Sequence, residues 1–245
     1  MRKFYLSFVN SEKGEKMFSF TIENKKVQIW PGAQANQPVI YLHTLGEEGP
    51  QVFSQLDQML NLQKSSQKFS LAAISSLDWN HDMVPWDIPA VFKNGEPYTG
   101  GTDDYLKLLT KTIMPQTEKY IKTPILWRGL AGYSLAGLFS IYAMYRTDAF
   151  SRFASMSGSL WFPEIIDFIR THSLQAKPSH IYFSLGNKEC RTRNPYLKIV
   201  QDNTEKIQTF YRNHGIHTAF ELNPGNHFQD AAKRSAKGIS WLLKQ

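Results

Sequence analysis

Cysteine is nearly absent from this 245-residue chain. Cys190 is the single one, so no internal disulfide can form, and the thiol count fits a reducing compartment. No apolar run approaches the ~18 residues of a membrane span. The opening MRKFYLSFVNSEKGEK interrupts its short apolar stretch with charge and shows no small-residue cleavage site, unlike a secretory signal. The expectation is a cytoplasmic protein with no membrane partner. There is no H-x-x-x-H and no cysteine pair, so no metal site is expected. There is no P-loop and no G-x-G-x-x-G, so no nucleotide cofactor is expected either. The excess of 28 Lys and Arg over 21 Asp and Glu gives a net charge of +7. These bases are spread along the chain without a block of five, and no zinc-finger or RNP-like motif accompanies them. They read as a solvated surface rather than a nucleic-acid footprint, with attraction of an anionic substrate as the alternative. Repeats, low-complexity tracts and flexible linkers are missing as well.

What is present is ordinary globular composition, 42% hydrophobic and 20% charged. The length suits one α/β domain over residues 1–245. Short runs rich in β-branched and aromatic residues predict strands at Lys26–Trp30, Pro38–His43, Phe69–Ile74, Ile125–Gly132, Phe153–Ser157, His180–Leu185 and Thr218–Leu222. Helical periodicity predicts helices at Gln51–Leu62, Asp103–Ile121, Leu135–Tyr145, Pro195–His214 and Gln229–Leu243. Such alternation implies right-handed crossovers and a mostly parallel sheet with helices on both faces. Arg2–Val9, Met17–Glu23 and Lys26–Trp30 read instead as a meander, giving an antiparallel edge at the N-terminus. The stretch Ser75–Gly101 is a long loop rich in Pro, Gly and Trp that leaves the carboxyl end of a strand, the face where parallel sheets bind ligands.

The strongest local signal is Gly132-Tyr-Ser-Leu-Ala-Gly137, entered by a strand-like run and left by a helical one. This is the G-x-S-x-G turn of a nucleophile elbow, with Ala136 in the last motif position. The strand must turn sharply into the helix, and side chains two positions either side of the serine would collide, so Gly and Ala are favoured. The turn would lift the Ser134 hydroxyl clear of the sheet. It would also set a developing oxyanion over the helix N-terminus, where the Leu135 N–H is free to donate. The competing reading is an ordinary turn with Ser134 as a helix cap.

In an elbow fold the partners follow in the order serine, acid, histidine. Of seven histidines, His43 and His81 precede the serine, and His172, His180, His214 and His217 fall at element ends. His227 lies on a Pro-Gly turn after the last strand, where a general base could reach Ser134. The acid should follow the strand before it, and Glu189 is the one carboxylate of Gly186–Asn194. It would accept from His227 Nδ1–H and stabilise the imidazolium. A surface pair with Arg191 or Arg193 is the other reading of Glu189, and Asp202 and Asp230, inside expected helices, are the weaker acids. The second oxyanion donor should come from the loop after Pro38–His43, from the N–H of Thr44 or Leu45. Trp79, Trp86, Trp161, Phe162 and Phe228 are expected near that face as an aromatic pocket, or as core packing. Lys188, Arg191 and Arg193 flank the acid, as substrate-binding cations or plain surface charge. Arg128, a charge within the elbow strand, is expected at an edge or paired.

These motifs together resemble a known family. Gly132-Tyr-Ser-Leu-Ala-Gly-Leu-Phe, the Leu185-Gly-Asn-Lys-Glu segment with Thr192-Arg-Asn, and Pro224-Gly-Asn-His look like the putative esterase family, which includes enterobactin/salmochelin esterases, esterase D and feruloyl esterases. Asp82-Met-Val-Pro-Trp, Gly100-Gly-Thr-Asp-Asp-Tyr-Leu and Met156-Ser-Gly-Ser-Leu-Trp-Phe are similar too, so the likeness covers about residues 35–245. It implies an α/β-hydrolase fold and hydrolysis of a small carboxylic ester, aryl or siderophore-like, with Ser134, Glu189 and His227 as the triad. An acyltransferase of the same fold and a non-catalytic binding protein remain the alternatives.

Overall fold

The computed structural model describes residues 4–10, 16–61 and 67–245, with side chains from residue 17 onward. Arg2, Lys3 and Leu62, at the ends of two expected elements, lie outside the described residues. Nine strands form one sheet: β1 (Phe4–Asn10), β2 (Lys16–Ile22), β3 (Lys25–Trp30), β4 (Gln37–His43), β5 (Ser70–Ser75), β8 (Ile125–Tyr133), β9 (Arg152–Met156), β10 (His180–Gly186) and β11 (His217–Asn223). A separate two-stranded ribbon pairs β6 (Asp87–Ile88) with β7 (Tyr98–Thr99). The spatial order of the large sheet is β1-β2-β3-β5-β4-β8-β9-β10-β11. From β5 to β11 every pairing is parallel, while β1, β2 and β3 add an antiparallel edge. This is the expected α/β-hydrolase architecture, with the expected antiparallel N-terminal edge.

Alternation along the strands sorts side chains onto two cores. Val39, Tyr41, Leu130, Phe153 and Phe183 point to one face. Their neighbours Ile40, Leu42, Ala131, Ala154 and Tyr182 point to the other. The second face is covered by α1 (Gly49–Leu60) and α9 (Ala231–Leu243), through Val52, Phe53, Leu56, Ile239 and Leu242. The first is covered by α3 (Thr102–Leu108), α4 (Met114–Glu118), α5 (Leu135–Ala143), α6 (Ile165–Thr171) and α8 (Val200–Asn213). Burying a ring such as Phe139 or Phe153 contributes about 1.5–3 kcal/mol.

Three expected elements differ in detail. The helix read over Asp103–Ile121 is split by a π-helical turn at Leu109–Ile113. Pro115, in the first turn of α4, has no N–H to give the carbonyl four residues back, and the wider turn absorbs the missing bond. The helix read over Pro195–His214 breaks at Ile199 into α7 (Pro195–Lys198) and α8. The last helix starts at Ala231, because Asp230 adopts a left-handed backbone (φ 57°). The long Ser75–Gly101 loop carries α2 (Trp79–Asp82) and the β6–β7 ribbon, and α6 was not anticipated. Among the described residues, no helix is long and apolar enough to cross a membrane.

Candidate active site

Ser134 sits between β8 and α5 with φ 59° and ψ −123°, a conformation that costs about 1–3 kcal/mol for a non-glycine residue. Surrounding bonds hold it there. Its N–H donates to the Met156 carbonyl at 3.1 Å, and its carbonyl accepts from the N–H groups of Gly137, Leu138 and Ser159 at 3.0, 3.2 and 2.9 Å. A Cβ on Gly132 would lie 2.3 Å from the Ala136 carbonyl oxygen and 2.6 Å from the Ala136 methyl. The collision argument therefore falls on position 132, and with glycine there a methyl at 136 is tolerated. This accounts for the Ala136 departure from the motif.

His227 Nε2 accepts from the Ser134 hydroxyl at 3.0 Å, and His227 Nδ1–H donates to Glu189 Oε2 at 2.8 Å. The tautomer follows from these two bonds. The other carboxylate oxygen, Oε1, accepts from Ser157 Oγ at 2.7 Å, from the Gly186 N–H and from Arg234 Nη1 at 3.2 Å. Glu189 is thus an inward-facing group tied to His227 and Arg234, not a surface partner of Arg191 or Arg193. Burial pushes its carboxyl up, but the bonds from His227, Gly186 and Ser157 outweigh that and hold it below the ordinary carboxylate value. The loops carrying acid and base are themselves joined. Asn187 N–H donates to the Asn223 carbonyl, Lys188 N–H to the Gly225 carbonyl, and Gly225 N–H to Asn187 Oδ1. Of the weaker acids, Asp202 lies in the first turn of α8, and Asp230 borders the cavity without reaching His227 in any described bond.

Leu135 is the first residue of α5, so its N–H has no intrahelical acceptor and is available as an oxyanion donor. Thr44 is a correction. Its N–H donates to the Ile74 carbonyl at 3.0 Å, extending the β4–β5 ladder by one rung, and cannot also serve an oxyanion. Leu45, the other residue of that pair, has an N–H in none of the described hydrogen bonds and lies in the cavity wall.

A cavity of about 1170 Å³ opens over Ser134 and His227 and runs along α1 and α9. Leu45, Trp79, Tyr133 and Phe228 border it beside the serine, and Phe228 is 87% exposed. Trp86 and Trp161 do not line it, which corrects both as substrate contacts. Trp86 packs on Tyr142, Phe162 and Phe168, and Trp161 on Tyr98 and Phe162. Trp86 lies between α2 and β6 and Trp161 between β9 and α6, and both rings pack into the first of the two cores, where aromatic contacts stabilise the fold. Arg193 is exposed and outside the cavity wall, as are Lys188 and Arg191. The acidic and basic side chains in the wall are instead Glu48, Asp57, Asp230 and Lys233, with His43, Tyr133 and His227 as its other ionisable groups. Arg128 is paired as expected, with Nε and Nη2 at 2.6 and 2.8 Å from the Glu118 carboxylate. His43 is fully buried, its Nε2 bonded to Tyr105 Oη at 2.7 Å, and burial pushes its pKa down to about 3, so it is a neutral core group.

Three residues around the serine escaped sequence reasoning: Tyr133, Ser157 and Arg234. Tyr133 occupies a free position of the motif, and its hydroxyl donates to the His227 carbonyl at 2.6 Å. Ser157 lies past the end of β9, where only the register of the sheet brings it to Glu189. Arg234 reads as one more base on an amphipathic helix.

The family described as Putative esterase matches residues 23–230. The chain belongs to this esterase family. Membership covers both the elbow and the histidine turn, and it makes ester hydrolysis the class of activity. The esterase is similar to the "Uncharacterized protein YbbA" of Bacillus subtilis (strain 168), with 20% identity over 216 residues, covering 84% of this chain and 85% of that one. Its fold is shared by the siderophore hydrolase EstA from Aspergillus nidulans, at 17% identity and a TM-score of 0.71, covering 99% of this chain and 94% of that one. An IroE-like serine hydrolase from Shewanella oneidensis is similar too, at 19% identity and a TM-score of 0.70, covering 99% and 80%. So is an enterobactin hydrolase IroE in complex with DFP, at 20% identity and a TM-score of 0.65, covering 99% and 94%.

Proposed function

We propose that this esterase is a serine carboxylic-ester hydrolase acting through an acyl-enzyme on Ser134. The observation that carries the reading is the bonded series Ser134 Oγ, His227, Glu189, at 3.0 and 2.8 Å. As the Ser134 oxygen attacks the ester carbonyl, its proton passes to His227 Nε2, and Glu189 stabilises the imidazolium. The Leu135 N–H, with Leu45 N–H as the second donor, faces the developing oxyanion. The tetrahedral intermediate collapses, the C–O bond of the leaving alcohol breaks, and His227 returns the proton to that alcohol. Water then attacks the acyl-enzyme with His227 as base, releasing the acid and restoring Ser134.

A bulky aryl or siderophore-like ester is the substrate that this reading favours. The cavity of about 1170 Å³ sits above the usual range for small-molecule sites, Trp79 and Phe228 offer aromatic walls, and several proteins of similar fold are named as siderophore or enterobactin hydrolases. The lone Cys190 thiol leads us to place the protein in the cytoplasm. Hydrolysis of p-nitrophenyl butyrate tests the chemistry. Ser134→Ala is expected to lower kcat by roughly 10⁶-fold, and equal rates for both proteins would overturn the proposal.

A further inference from the structure

Arg234 is the largest fully buried side chain among the described residues, 1% exposed, on a helix whose other bases face outward or half-outward. A permanently charged guanidinium in such a place is costly unless each group around it is fixed to receive it. Its acceptors come from the carboxyl ends of four adjacent strands. The two N–H bonds of Nη1 are shared among three acceptors at 3.2 Å, Tyr133 Oη at the end of β8, Ser157 Oγ past β9 and Glu189 Oε1 past β10, and Nη2 donates to the Pro224 carbonyl past β11 at 2.8 Å. Room for the group is made by Gly186, where a Cβ would lie 2.9 and 3.0 Å from Nη1 and Nη2. Those four strand ends carry the nucleophile, the bonds to the acid, the acid and the base in turn.

We propose that Arg234 is the positioning residue of this site: it sets the Glu189 carboxylate, and through Tyr133 and Pro224 the loop of His227, so that acid, base and nucleophile stand in register. The proposal rests on the hydrolase reading for what is being positioned. It makes Arg234 neither a substrate contact nor a proton carrier. The guanidinium takes one lone-pair direction of Oε1, which leaves Oε2 turned to the imidazole. Tyr133, held by the same nitrogen, fixes the backbone carbonyl of His227 from the other side.

Two substitutions separate charge from shape. Arg234→Met removes both. Its kcat on p-nitrophenyl butyrate is expected to fall about 10²-fold, the cost of small misplacement, with KM little changed. The acid limb of its kcat/KM profile is expected to move to higher pH, because a site that has lost a positive charge holds its proton longer. Arg234→Lys keeps the charge without the fork. Its acid limb should stay in place while kcat falls about tenfold. A folded Arg234→Met with wild-type kcat and profile would overturn the proposal, as would a loss that tracks only the unfolded fraction. If Arg234→Met does not fold, Arg234→Lys decides, and wild-type kcat there counts against the role. A readout without turnover is the far-downfield proton of the His227 Nδ1–H···Glu189 bond, identified by its absence in Glu189→Gln. It should be lost or fast-exchanging in the Arg234 variants, and an unchanged resonance would reject the proposal. A wild-type protein with no Ser134-dependent turnover would reject the hydrolase reading alone, and this resonance would still decide the role of Arg234.

Discussion

The two sides of Ser134 are built by opposite means. On one side the ends of β9, β10 and β11 bring Ser157, Glu189 and His227 into a bonded group closed from behind by Arg234, whose two terminal nitrogens are bonded while its Nε is buried without a partner. On the other side the loop between β4 and α1, together with Trp79, contributes apolar surface. Leu45 is 61% exposed there, and one backbone amide is left over. In the proposed reaction the first side moves protons, and proton transfer demands atoms already within hydrogen-bond reach. The second needs only to present an N–H and a surface to the substrate, so its side chains are under weaker geometric demands.

Substitutions can break this contrast, and the largest effect belongs to the bonded side. Glu189→Gln keeps the shape but reverses the hydrogen-bond logic toward His227 Nδ1, and kcat is expected to fall roughly 10⁴-fold. A loss under tenfold in steady-state assays would mean that the bonded side matters less than its geometry suggests. On the open side, Leu45→Pro deletes the candidate amide. An expected drop of about 10²–10³-fold in kcat, with the fold intact by circular dichroism, would assign the second oxyanion donor, whereas unchanged kcat would remove Leu45 from that role. Away from both sides, Trp86→Ala should cost about 3 kcal/mol of stability in urea titration, while kcat per folded molecule stays at the wild-type value. A selective rise in KM would return Trp86 to the substrate site. The smallest effect concerns His43, whose pKa is about 3 in the folded chain against about 6.5 when unfolded. Its depressed value leaves stability complete above pH 6.5 and drains it as pH falls toward 3. The expected loss attributable to this group is about 2 kcal/mol at pH 5, read as the difference between wild type and His43→Asn across a pH series. Parallel curves for the two proteins would contradict the burial of a neutral imidazole.

Legibility in the sequence followed the same divide. The grouping of Ser134, Glu189 and His227 could be anticipated because chain order, turn residues and strand positions constrain them locally, one loop at a time. The strands were placed within a residue or two at most ends, since their runs are bounded by turn-forming residues. Thr44 was misjudged because the last rung of the β4–β5 ladder depends on where β5 ends, which no local pattern records. Trp86 and Trp161 carried the composition of a pocket, yet composition does not distinguish a ring facing a ligand from one facing Phe162. Arg234 was hidden for a related reason. A base on an amphipathic helix normally faces water, and only the convergence of four strand ends, fixed by the register of the whole sheet, gives it acceptors inside.

The bonds joining the acid loop to the histidine loop have a dynamic consequence. Asn187, Lys188 and Gly225 donate across the gap between β10 and β11, so neither loop can swing away while those contacts persist. Glu189 and His227 are thereby expected to open as a single unit: the amides of Asn187, Lys188 and Gly225 should exchange with deuterium in concert, and an excursion that frees one partner would part the pair and take His227 away from Ser134.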